Sequence, residues 1–276
     1  MNIALVGLAV IGGLIALTLT LAIVIGMRQP SRRIHRNRTA IFAALRQQQP
    51  GARLSTGNVL WTSTALFTLI GEGEPYWTDY LILPTGTVNV AELTSQPGVS
   101  DAFVAEIALT PVPPLVLGLL RLRHLLGLTR RPAAPLPTAL DHIEGRRDVL
   151  PTTDAIAEAQ ALPEDMSLAM MNFLDYPTLA KGDAADGRAA YLRYGRQAFK
   201  AVHAVGGQFL FAGTITAVLV QPRSPDWQVP WDDVAAMIYP DPTAIFAMEQ
   251  FPFYRRALAE RDAGLKRTRV IATRAY

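Results

Sequence analysis

From Ile3 to Ile25 the chain carries no charged residue and is built from Leu, Ile, Val, Ala, Gly and Thr. At about 1.5 Å per residue a helix of this length covers roughly 35 Å, enough for a bilayer core of about 30 Å. No charged side chain precedes the run and no small-x-small site ends it, so the pattern predicts a retained transmembrane anchor over 1–27 rather than a cleaved signal peptide. Beyond it, Ile41, Ala44 and Leu45 share a helical face, which predicts a helix over 39–49 stopped by Pro50 and Gly51. Apolar and β-branched stretches predict strands over 59–69 and 76–83, and a helix is expected within 88–107. Leucines point nearly all around the 113–131 segment. It reads either as a helix packed inside the protein or as one lying in the lipid headgroup region.

The second half is patterned more clearly. Thr152, Thr153 or Asp154 caps a helix to Ala161, and a strand is expected over 167–173. Tyr191, Tyr194, Ala198, Val202 and Val205 mark one face of a helix over 187–205, ended by Gly206 and Gly207. Strands over 208–220, 233–239 and 268–273 and a helix over 242–263 complete a β-α-β-β-α-β order, that of a ferredoxin-like unit. The halves also resemble each other: Phe42, Gly51, Gly57, Trp77-Thr78-Asp79 and Pro84 recur in order as Phe199, Gly207, Gly213, Trp231-Asp232-Asp233 and Pro240. This argues for duplication, with two sheets that can face each other within one chain.

Composition narrows the chemistry. Cysteine is absent, which removes disulfides, thiolate metal sites and cysteine nucleophiles together. Net charge is only +3, but it is clustered. Arg28, Arg32, Arg33, Arg36 and Arg38 follow the apolar run, and Arg121 and Arg123 interrupt the leucine-rich segment. Basic residues beside apolar segments read as membrane-surface charge, whereas no nucleic-acid-binding motif or basic stripe is visible. By the positive-inside rule the N-terminus lies outside and the remainder on the cytoplasmic side. The segment 130–140, with Pro132, Pro135 and Pro137, reads as a linker. The expected organisation is an anchor (1–27), a basic juxtamembrane segment (28–38), a degenerate first unit (39–129), the linker (130–140) and a second unit (141–276).

Residues 145–152 (Gly-Arg-Arg-Asp-Val-Leu-Pro-Thr), 170–174 (Met-Met-Asn-Phe-Leu), 191–195 (Tyr-Leu-Arg-Tyr-Gly), Gly206-Gly207 and 265–274 carry a resemblance over 141–276. The second half resembles a family of uncharacterised bacterial proteins with the dimeric α/β-barrel fold. Asp175 stands where relatives often carry a basic residue, and Glu260 where they often have histidine. The resemblance implies a ferredoxin-like domain whose sheet pairs with a second sheet into a barrel, and it implies no particular reaction. Together with the apolar run and the repeat, the expected α+β fold is an N-terminal transmembrane helix in the bacterial inner membrane followed by two ferredoxin-like units, which can pair as an intramolecular barrel.

Of His35, His124, His142 and His203, none has a metal-ligand partner at useful spacing, and neither a phosphate-binding glycine loop nor a nucleophile elbow is present, so no metal and no cofactor is expected. What remains is a cavity between sheet and helices, with Asn172, Tyr191, Tyr194, Arg196, His203 and Arg261 as candidate ligand-binding residues. A Tyr or His there could move a proton and an Arg could hold an anion. The bland assignments are core tyrosines and a histidine placed favourably at a helix C-terminus. The expectation is a membrane-tethered ligand-binding or scaffolding module, monomer or homodimer, that meets membrane lipid and an apolar small molecule or a membrane-protein partner. The alternative is a cofactor-free monooxygenase- or isomerase-like enzyme acting on an apolar substrate.

Overall fold

A computed structural model describes residues 3–52, 58–86, 88–129, 147–178 and 187–275, with residues 3–10 as backbone alone. Helix α1 (Ile3–Met27) and the short α2 (Ser31–Ile34) lead into strand β1 (Thr39–Gln47). Next come β2 (Trp61–Ile70), β3 (Asp79–Pro84), α3 (Val90–Thr94), β4 (Val99–Leu109) and α4 (Pro114–Leu125). The second half runs α5 (Thr153–Ala161), β5 (Leu168–Asp175), α6 (Gly187–Ala204), β6 (Gln208–Val220), β7 (Asp233–Tyr239), α7 (Ala244–Ala247), α8 (Pro252–Gly264) and β8 (Arg267–Ala275).

The strands form one closed barrel in the order β1-β3-β2-β8-β5-β7-β6-β4, and every pairing is antiparallel. Two pairings join the halves. In one, Thr64 of β2 lies opposite Arg274 of β8; in the other, Ile107 of β4 lies opposite Ile215 of β6. The architecture therefore corrects the expected transmembrane helix followed by two ferredoxin-like units. The edges that would bound two separate sheets pair with each other, and closure removes every exposed edge.

The single-pass membrane anchor is corrected as well: among the described residues no helix is long and apolar enough to cross a membrane. Helix α1 packs along α4. The approach is close enough that a methyl group at Gly118 would fall on the Ala22 carbonyl, and one at Gly26 on that of Pro114. Helix α4 is covered on one side: Leu117, Gly118 and Leu122 are buried, whereas Val116, Leu119 and Leu125 are exposed.

Two elements differ from the sequence expectation for one physical reason. The 39–49 segment is strand β1, not helix, and most of 88–107 is strand β4 preceded only by the short α3. The run Ala40 to Leu45 is apolar at every position, so its periodicity does not distinguish helix from strand. Both faces of β1 are covered: Phe42 and Ala44 join the interior cluster, and Ile41, Ala43 and Leu45 pack outside with Leu93 of α3. The expected 242–263 helix is split by a 3-10 turn over 248–250 and resumes at Pro252, whose missing N–H is tolerated at a helix start.

The barrel interior is filled by rings. Phe173 stands 5.6 Å from Phe42, 5.0 Å from Trp227 and 5.6 Å from Trp231, centroid to centroid. The duplication is visible in hydrogen bonds. Thr78 N–H donates to Leu45 O (2.9 Å) and Asp232 N–H to Leu174 O (2.8 Å), while Ala65 and Ile215 N–H donate back to Thr78 and Asp232 O, both at 2.8 Å. The matched pair Phe42 and Phe199 fails, because the first lies in β1 and the second in α6. The 130–140 linker, His142 and Gly57 lie outside the described residues.

Candidate functional site

On the outer face of the second half, α5, α6 and α8 cover the sheet in a second apolar layer. Between the sheet (β5, β6, β7 and β8) and helices α6 and α8 lies a cavity of about 450 Å³, within the range of small-molecule sites. Its floor alternates along the strands: Met170, Asn172 and Leu174 of β5 beside Asp233, Ala235 and Met237 of β7. Its roof is the sheet-facing side of α6 (Tyr191, Tyr194, Ala198, Val202) and of α8 (Tyr254, Arg261). Leu192, 53% exposed, stands at the rim.

Four of the six expected residues meet here: Asn172, Tyr191, Tyr194 and Arg261 all line the cavity. Asn172 is committed to the backbone, its amide donating to Met170 O (2.8 Å) and Ala235 O (3.3 Å). The Tyr194 hydroxyl pairs with that of Tyr254 at 2.9 Å, and the Arg261 guanidinium lies 5.7 Å from the Tyr194 ring centre. Arg196 and His203 are not part of the site. Arg196 lies two residues after Tyr194, hence on the opposite side of α6, and is exposed. His203 is buried beside Phe199, with Nδ1 2.8 Å from the Phe199 carbonyl; burial lowers its pKa and favours the neutral ring. Nearby, Gly206 takes φ +89° and ends α6, and Arg121 donates to its carbonyl at 3.0 Å. Arg121 is half-buried. Arg28, Arg33, Arg36, Arg38 and Arg123 are exposed and Arg32 half-buried.

Two polar groups were not legible beforehand. At one end, Asp233 accepts from Tyr176 Oη (2.9 Å) and Arg188 Nη2 (2.9 Å), and Arg188 also bonds Thr214. Burial raises the Asp233 pKa and Arg188 opposes the rise. The Trp231-Asp232-Asp233 repeat was the one signal for this cluster. Toward α8, Glu249 of the 3-10 turn and Arg261 are 8% and 6% exposed, and Glu249 Oε2 and Arg261 Nε have no hydrogen-bond partner among the described residues. The Asp262 carboxylate stands 3.8 Å from Arg261 Nε, beyond hydrogen-bond range. Burial pushes the Glu249 carboxyl up to about 7, with Arg261 and Arg255 opposing it. Tyr176, Tyr191, Tyr239 and Tyr254 are all shifted upward by burial, so they stay neutral donors. Glu249 is thus a cavity-wall group poised to change charge near neutrality. No sequence signal marked it, since it falls inside what read as one continuous helix.

Among the described residues no group of three His, Asp or Glu side chains is arranged to hold a metal ion. No protein-family model matches the chain, and no curated protein matches it. Among solved structures, a protein of unknown function from Rhodopseudomonas palustris is 28% identical over 44% of this chain and 92% of its own, with a TM-score of 0.39. The methylated form of that protein is 27% identical, covering 44% of this chain and 90% of its own, also with a TM-score of 0.39.

Proposed function

We propose that this chain binds a small, mainly apolar molecule with one polar end in the cavity between the second-half sheet and α6 and α8. The observation carrying this reading is an apolar, aromatic-lined space with two buried charged residues on its wall, Glu249 and Arg261, whose Oε2 and Nε atoms have no hydrogen-bond partner among the described residues. Buried polar atoms are nearly always paired, so unpaired ones on a cavity wall mark where a ligand atom belongs. An isomerase-like reading draws on Glu249 specifically: a carboxyl poised at about 7 suits general acid–base work at neutral pH.

The test is titration of the full chain with the neutral fluorescent probe N-phenyl-1-naphthylamine. Saturable binding at one site is expected, and Ala198→Trp, which places an indole on the α6 wall of the cavity, should weaken it at least about tenfold. The exposed leucines of α1 and α4 are a competing surface for such a probe. Equal binding by the Ala198→Trp variant, with an unchanged circular dichroism spectrum, would place the probe on that surface and refute the reading.

A further inference from the structure

We infer that the polar end of the ligand is a carboxylate, held by the Arg261 guanidinium and by the O–H of a protonated Glu249, so that the cavity takes up an apolar monocarboxylic acid anion together with one proton. The inference rests on the cavity-binding reading and adds to it the chemical class of the ligand and the coupling to protons.

The argument starts from what each unpaired atom is able to do. Arg261 Nε–H is a donor on a permanent cation, and it needs an acceptor. The Asp262 carboxylate supplies charge at 3.8 Å but no hydrogen bond to Nε. Glu249 lines the same cavity, and its Oε2 makes no hydrogen bond among the described residues. A carboxylate ligand suits both residues, since one of its oxygens can accept from the Arg261 guanidinium and the other from the Glu249 O–H, provided that Glu249 carries its proton. An alcohol presents one oxygen and leaves the guanidinium without an anionic acceptor. An amine would bring a second cation beside Arg261.

Among the described residues, the titratable and charged groups around Glu249 and Arg261 are consistent with this arrangement. From α8 these are Arg255, Tyr254 and Asp262; from α6, Tyr191 and Tyr194; from β7, Tyr239. Burial keeps the phenols of Tyr191, Tyr239 and Tyr254 neutral, and Asp262 is placed beside Arg261. An incoming anion next to Glu249 favours its protonated form, which is the reason a proton accompanies the ligand.

Proton linkage and ligand class are read together by calorimetry on the full chain at pH 6.0, 7.0 and 8.5, in buffers of different ionisation enthalpy, with decanoate and 1-decanol as probes. Decanoate is expected to bind about tenfold or more tighter than decanol at pH 6.0, to take up a fraction of a proton at pH 7.0, and to weaken toward pH 8.5. Arg261→Met should erase the preference for decanoate while decanol still binds, and Arg261→Lys should keep part of it. Glu249→Gln, whose amide still donates, should bind decanoate with no proton uptake and a flat pH profile. If decanol binds as tightly as decanoate, or Arg261→Met retains the preference, the carboxylate assignment is overturned while cavity binding stands. Unchanged proton uptake in Glu249→Gln overturns the role of Glu249. If neither probe displaces N-phenyl-1-naphthylamine, the cavity-binding reading fails, and the ligand class with it.

Discussion

Phe173→Ala tests whether the halves fold as one body. Phe173 is fully buried in the barrel interior and belongs to β5. Its ring contacts Phe42, Tyr80 and Phe103 from the first half at 5.6, 6.2 and 6.4 Å, and Trp227 and Trp231 from the second at 5.0 and 5.6 Å. Truncating such a side chain costs about 3–5 kcal/mol, from lost transfer energy and from the void left behind. The site is ringed by aromatic groups on two sides of the barrel, which leaves little room for collapse, so the expected value is about 4 kcal/mol. Phe173→Leu, which keeps most of the volume, should cost about 1.5 kcal/mol. Urea unfolding followed by tryptophan fluorescence reports the change directly, since Trp227 and Trp231 are contact partners and Trp77 lies 5.5 Å from Trp227. The variant should show one transition, shifted to lower urea. A loss below about 1.5 kcal/mol would refute the packed interior. A separate early transition confined to half the amplitude would refute the single closed barrel.

Two further outcomes follow from the polar groups. Asp79 is buried and accepts from Gly51 N–H (2.8 Å), Thr64 Oγ1 (2.9 Å) and Thr78 Oγ1 (2.7 Å), so Asp79→Ala should cost about 3 kcal/mol in the same unfolding assay, through donors left unpaired. For Glu249 the folded-state pKa is raised, from 4.5 to about 7. The folded chain therefore holds its proton where the unfolded chain has lost it, and this group's effect on stability declines as pH rises from about 4.5 through 7. Glu249→Gln should remove a pH-dependent loss of about 3 kcal/mol and be more stable than the parent at pH 8. A parent and variant with parallel stability profiles between pH 4 and 8 would contradict the buried, unpaired carboxyl.

Much of the second half was legible because its periods are unambiguous. The 208–220 and 233–239 strands appear with those bounds, and Thr152 caps α5 by accepting from Ala155 N–H at 3.1 Å. On α6 the i, i+3, i+4 pattern placed Tyr191 and Tyr194 toward the sheet, and both reach the cavity. The same spacing argument would have set Arg196 aside, since it falls on the opposite face. In the first half the pattern misled, because a strand covered on both sides, such as β1, carries no alternation to read.

By itself the sequence determined local matters: which runs are apolar, where helices of the second half start and stop, that Trp-x-Asp turns recur, and that no thiol chemistry is available. These depend on nearest neighbours and on period, which a linear chain displays. The tertiary structure alone decided that β2 pairs with β8 and β4 with β6, so that the halves close into one barrel, and that α1 lies along α4. It also decided that Glu249 and Arg261, twelve positions apart, line one cavity without hydrogen-bond partners for Oε2 and Nε among the described residues. The physical reason is the same in each case. Pairing of distant edges and burial of a charged group are set by what the rest of the chain places around them, and neither leaves a local mark on the residues concerned.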